Sequence, residues 1–157
     1  MNREDAPPEQ FKATQIVFSE LSELLADYQG AVVVGGNVPA LLISQVDVPH
    51  IGTLDIDVLL DPERLSGDGE LTLHERLERL LFQQGTKRPF RYTRTVEVAG
   101  HSHGVLLEFL GGGEVPPGGL LRIPREDVYV SVIAGMEVAL DRPVRARIGQ
   151  TPFNRSP

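Results

Sequence analysis

The sequence predicts a single α/β domain. Two observations carry this. Stretches with apolar residues at helical spacing alternate with short, β-branched runs of strand length. The 157 residues, 41% of them hydrophobic, suffice for one α/β core and not comfortably for two, and neither a repeat nor a domain-scale linker divides them.

Residues 1–10 are charged, carry Pro7 and Pro8 and lack periodicity, so they read as a disordered N-terminus. The domain is expected over 11–148, followed by a flexible tail over 149–157. From Phe11 to Tyr28, Phe11, Ile16, Phe18, Leu21, Leu24 and Leu25 recur at helical spacing, and Gly30 stops that helix. Ala31-Val32-Val33-Val34 reads as a buried strand and Gly35-Gly36 as its turn. Asn37 is placed to cap a second helix, with Pro39 in its first turn. After a loop over 46–52, Thr53 to Leu60 forms a strand. Leu54, Ile56 and Val58 point to one side of it, and Thr53, Asp55 and Asp57 to the other. Leu71 to Gln84 is an amphipathic helix with Leu73, Leu77, Leu80 and Leu81 on one face. Strands over 91–98 and 104–110 flank a turn over 100–103. A Gly/Pro loop over 111–119 precedes short strands over 120–123 and 128–133 and a helix beginning at Met136.

Composition removes several function classes. The chain has no cysteine, which excludes a disulfide framework, a thiolate zinc site and a cysteine nucleophile. The N-terminus lacks the apolar core of a signal peptide, and no apolar run reaches the roughly 18 residues of a membrane span. A cytoplasmic protein is expected. The net charge of −7 argues against a broad nucleic-acid-binding surface. Basic residues gather at Lys87, Arg88, Arg91 and Arg94, and again at Arg142, Arg145, Arg147 and Arg155. Both clusters read as solvated surface, with phosphate contact as the functional alternative. His101-Ser102-His103 reads as a turn and His74 as a solvated helix residue.

Chemistry concentrates in two segments. Strand alternation puts Asp55 and Asp57 on one face, roughly 6.5–7 Å apart at the backbone. Two carboxylates converging there repel one another unless a cation lies between them. Hard oxygen donors of this kind suit Mg2+ or Mn2+. The Gly35-Gly36 turn between a strand and a helix N-terminus offers backbone N–H groups to an anion, and glycine lets the backbone approach a phosphate closely. Asn37 is placed to cap the helix or touch the same phosphate. Glu108 is the one acid in the apolar run Val105 to Leu110. It needs a partner, a cation or solvent there.

The stretch from Val32 to Leu60, hydrophobic-Gly-Gly followed by Thr-x-Asp-hydrophobic-Asp, resembles the signature of the nucleotidyltransferase-like superfamily. It is closest to the AbiEii-type nucleotidyltransferase toxins. The resemblance implies an α+β fold, a mixed β-sheet flanked by helices. It implies nucleotide contact at Gly35, Gly36, Asn37 and Thr53, and catalytic metal binding at Asp55, Asp57 and Glu108, with Mg2+ or Mn2+ as cofactor. The activity implied is transfer of a nucleoside monophosphate from a nucleoside triphosphate (NTP) to a hydroxyl on RNA, protein or a small molecule. An antitoxin partner is implied with it. The chain departs from the pattern at Ile51, where relatives often carry arginine, and at Glu108, where aspartate is usual. A helical C-terminal region bearing a lysine has no evident counterpart before Pro157. The alternative function is a catalytically inactive protein of the same fold that binds a nucleotide or another protein.

Overall fold

Alternating β-branched runs can satisfy their backbone only by pairing, and the apolar stripe of a helix must be covered. The computed structural model meets both demands with a mixed sheet and few helices, and it describes residues 8–35, 55–113 and 115–141. Helix α1 (Pro8–Leu25) comes first, then strands β1 (Tyr28–Gln29), β2 (Ala31–Val34), β3 (Asp55–Leu60) and β4 (Ser66–Gly67). Helix α2 (Leu73–Arg79) precedes β5 (Gln83–Gln84), β6 (Arg91–Val98), β7 (His101–Gly111) and β8 (Leu120–Ile123). A 3-10 turn (Pro124–Glu126), β9 (Val128–Val132) and α3 (Glu137–Asp141) close the described chain.

Seven strands form one sheet. Its main path runs β2-β3-β7-β6-β5, with β9 pairing the end of β7 and β8 pairing β9. β3 lies antiparallel to β2 and parallel to β7, and β6 is antiparallel to β7. β1 and β4 form a separate two-stranded pair. The fold is therefore mixed α+β.

The sheet has two unlike faces. On one, Ile56, Val58 and Leu60 of β3 lie beside Leu107 and Phe109 of β7 and Tyr92 of β6, all of them buried. α1 lies against β6 and β7 and touches β3 on this side. Its inward stripe is Ala13, Val17, Phe18, Leu21 and Leu25; Phe11, Ile16 and Leu24 sit at its margins. Each fully buried large aliphatic side chain stabilises the fold by about 1.5–3 kcal/mol. On the other face stand Val34, Asp55, Asp57, Glu108 and Arg91.

α2 is held at its start by a reciprocal cap. Thr72 N–H donates to Glu75 Oε2 at 2.8 Å, and Glu75 N–H donates to Thr72 Oγ1 at 3.2 Å. A buried carboxylate anchors the same end: Glu126 Oε2 accepts from Leu73 N–H at 2.7 Å and from Tyr28 Oη–H at 3.2 Å. Burial, then the Glu126 charge, pushes the Tyr28 phenol up to about 12.

Several expectations are corrected. α1 starts at Pro8, so residues 8–10 are helical, and proline is tolerated in a first helical turn where no N–H is needed. α2 ends at Arg79 and not at Gln84. Leu81 takes φ 66° and is exposed, which turns Phe82 into the core. The β6–β7 turn is Ala99-Gly100, both at positive φ, and His101 already pairs with Val98. A two-residue turn of this kind matches the twist of paired strands, so His101 and His103 belong to β7. His74 is not solvated: its Nδ1 lies 2.9 Å from Tyr92 Oη, and its side chain is mostly covered. The expected helix after Asn37 lies outside the described residues. No helix among the described residues is long and apolar enough to cross a membrane.

Candidate functional site

Pairing across three strands assembles the site. β2 ends opposite Asp57, with Val34 as the cross-strand partner of Asp57. Asp57 is in turn the register partner of Glu108 on parallel β7, and Glu108 is the partner of Arg91 on antiparallel β6. Neighbouring strands lie about 4.8 Å apart, so residues in register on one face have side chains within reach of each other. The row Val34, Asp57, Glu108, Arg91 thus crosses the sheet on the face away from α1. Asp55 lies two residues before Asp57 on that face and is exposed.

Gly35 follows Val34 with φ 81° and lies directly against the Asp57 carboxylate. A Cβ built there would stand 2.6 Å from Asp57 Oδ2, closer than such atoms approach. The left-handed φ and the close approach each call for glycine. This joins the two motifs: the first glycine of the Gly-Gly turn abuts the second acid of the Asp-x-Asp pair.

The perturbed carboxyl of the site is that of Asp57. Burial foremost, then the charges of Glu108 and Asp55, hold its carboxyl above the usual carboxylate range. Glu108 has a partner in Arg91, whose Nε forms an ion pair with Glu108 Oε1. Arg91 Nε is itself buried and makes no hydrogen bond beside this ion pair. The Glu108 side chain is 18% exposed and that of Arg91 34%, so the pair borders solvent.

The donor chemistry of Asp55, Asp57 and Glu108 fits a hard divalent cation. Burial raises Asp57 most, and the lesser part that comes from Glu108 and Asp55 is what such a cation would relieve. As arranged, no three His, Cys, Asp or Glu side chains among the described residues stand together closely enough to hold a metal ion. Arg91 takes the side of Glu108 that faces away from Asp57 along the sheet.

The structure therefore brings together Gly35, Asp57 and Glu108, with Asp55 beside them. Gly36, Asn37 and Thr53 lie outside the described residues. Arg91 has a distinct place that grouping it with Arg94 in the sequence conceals. Their spacing held the signal: residues three apart on a strand face opposite ways. Arg94 points to the α1 face, where it pairs with Glu20 and lies 5.9 Å from the centroid of the Phe82 ring. Lys87 and Arg88 are exposed in the turn between β5 and β6. Arg142, Arg145, Arg147 and Arg155 lie outside the described residues.

No protein-family model, curated protein or solved structure matches this chain.

Proposed function

We propose that the chain is a metal-dependent nucleotidyltransferase of the nucleotidyltransferase-like fold. It moves a nucleoside monophosphate from a nucleoside triphosphate to a hydroxyl on RNA, protein or a small molecule. The observation that carries this reading is the seating of Gly35 against Asp57, itself in register with Glu108. A positive-φ glycine, an acid pair and a third acid share the sheet face away from α1. Asp55 and Asp57 are the residues that would hold Mg2+ or Mn2+, with Glu108 as the third donor. Such a cation, when bound, supplies the positive charge that phosphoryl transfer needs.

The chain's own groups then bind and orient. Gly35, at positive φ, turns the chain against Asp57 at the end of β2. In the transfer, the acceptor oxygen bonds to the α-phosphorus and the bond to the β-phosphate bridge breaks. Pyrophosphate leaves, and the hydroxyl proton passes to a carboxylate of this row. Positioning accounts for most of the rate, as in phosphoryl transfer generally. A role as the toxin of a toxin–antitoxin pair is the biological setting this reading favours, in the cytoplasm.

The test is incubation with each α-32P nucleoside triphosphate, Mg2+, and RNA or protein acceptors, comparing wild type with Asp57→Asn. Label transferred by the wild type alone is the expected outcome. Full transfer by Asp57→Asn would refute the assignment.

The ion pair of Arg91 with Glu108 favours a second reading, a protein of this fold that binds nucleotide or another protein without transfer. In that case Mg2+ with nucleotide raises the melting temperature while no pyrophosphate is released.

A further inference from the structure

Independently of the nucleotidyltransferase reading, we infer that the turn between β5 and β6 is a docking point for the phosphate backbone of a single-stranded nucleic acid. Lys87 and Arg88 are the residues that contact the phosphates.

Charge segregation and a rigid turn carry the inference. Residues 79–96 hold Arg79, Lys87, Arg88, Arg91 and Arg94 and no Asp or Glu, a net charge of +5. The whole chain carries −7, so the remainder carries −12. The structure divides these cations. Arg94 is taken by Glu20 on the α1 face, and Arg91 by Glu108. Lys87 and Arg88 are exposed, and neither has an ion pair among the described residues. Two other exposed arginines are occupied, Arg64 by Asp61 and Arg122 by Asp127. The turn that presents Lys87 and Arg88 is pinned. Gln84 Nε2 donates to Pro89 O at 2.8 Å, Gly85 N–H to Arg91 O at 2.8 Å, Arg91 N–H to Arg88 O at 3.0 Å, and Phe109 N–H to Phe90 O at 2.9 Å. It closes so tightly that a Cβ at Gly85 would stand 2.8 Å from Arg88 O. Cations on a backbone already fixed lose little further freedom when a ligand binds. Exposed Thr86, and Gln83 in register with exposed Thr93, add neutral donors beside them. A linear polyanion fits this pattern: ammonium and guanidinium groups hold phosphate oxygens, and hydroxyls and amides donate to them. The acidic remainder of the chain repels the same polyanion, which confines it to this hairpin.

The test is fluorescence anisotropy of fluorescein-labelled oligouridylate with the full chain over a series of KCl concentrations. Lys87→Gln/Arg88→Gln is expected to bind on the order of tenfold weaker at low salt. Its slope of log affinity against log salt is shallower by about 1.4, two phosphate contacts at about 0.7 each. It melts with wild type, because neither side chain is buried or paired. Lys87→Arg/Arg88→Lys keeps both charges and the wild-type slope. Arg64→Gln/Arg122→Gln removes the same charge from paired positions elsewhere and binds like wild type. Oligodeoxythymidylate of equal length binds like the RNA, since phosphates are what the turn holds. No binding by wild type overturns the inference. So does an unchanged slope in Lys87→Gln/Arg88→Gln, an equal loss in Arg64→Gln/Arg122→Gln, or polyglutamate displacing the RNA as well as unlabelled RNA does. If Lys87 and Arg88 carry the binding while wild type shows no Asp57-dependent transfer, only the transfer reading falls. If Asp57-dependent transfer is seen and the binding ignores Lys87 and Arg88, only this inference falls.

Discussion

Replacing Gly35 by alanine tests whether the Gly-Gly turn is built around Asp57. Two costs are expected. A non-glycine residue in the left-handed region loses about 1–2 kcal/mol, and Gly35 has φ 81°. The added Cβ also lands 2.6 Å from Asp57 Oδ2, where ordinary contact begins at 3.4 Å, so the carboxylate must give way by well over half an ångström. Pushing a side chain off its rotamer costs about 0.5–1.5 kcal/mol. Gly100 separates the two costs, because it has φ 80° and a methyl group added there meets nothing within 4 Å. Both replacements share the backbone cost and the gain from a less flexible unfolded chain. Urea denaturation is therefore expected to show Gly35→Ala less stable than Gly100→Ala by about 1 kcal/mol, or roughly 2–4 °C in melting temperature. Adding Asp57→Ala to Gly35→Ala should recover that difference, as a double-mutant cycle reads directly. Transfer activity should fall by about 100-fold in Gly35→Ala and stay at wild-type level in Gly100→Ala. Equal stability of the two single variants, with no coupling to Asp57→Ala, would refute the contact.

Two further outcomes follow from the half-buried Asp57 and the buried Glu126. Burial, Glu108 and Asp55 raise the Asp57 carboxyl, so its charged form costs stability, and that cost is absent below its unfolded value and grows as pH rises through its folded value. Asp57→Asn should therefore melt higher than wild type at pH 7, with the gap closing on acidification towards pH 4; a variant melting lower at pH 7 would contradict the assigned repulsion. Glu126→Ala leaves Leu73 N–H and Tyr28 Oη–H without their acceptor inside the fold, and should cost about 1–3 kcal/mol in urea denaturation. An effect below a few tenths would mean that water replaces the carboxylate.

The order of elements was legible in the sequence because period and turn chemistry agree along most of the chain. Strand alternation alone sent Ile56 and Val58 inward and Asp55 and Asp57 outward. Boundaries were less legible where tertiary packing decided them. Leu80 and Leu81 continue the apolar period of α2, yet burial of Phe82 ends the helix and leaves Leu81 in solvent. The hairpin at Ala99-Gly100 was blurred because His101 and Ser102 look like turn residues, whereas a two-residue turn suffices. His74 gave no local sign of Tyr92, eighteen positions away, which only the packing of α2 on β6 brings within reach. The site divides in the same way. Asp55 and Asp57 were visible as a local pattern, but the register of Glu108 with Asp57 depends on the parallel pairing of β3 and β7, which no local pattern encodes.

The sheet face away from α1 shows why the stability and the proposed activity of this protein pull apart. The α1 face pairs Arg94 with Glu20 and buries aliphatic and aromatic side chains around them. The opposite face keeps Asp57 half-buried beside two other acids, and Arg91, the register partner of Glu108, stands against it at the solvent margin. A fold selected for stability alone would place an amide or an apolar residue at 57, since the aspartate is repelled there and Gly35 pays in backbone entropy to make room for it. Retaining both is reasonable when an incoming cation and polyphosphate supply the missing charge. On the proposed reading, the repulsion at Asp57 would contribute differential binding energy once cation and substrate arrive together.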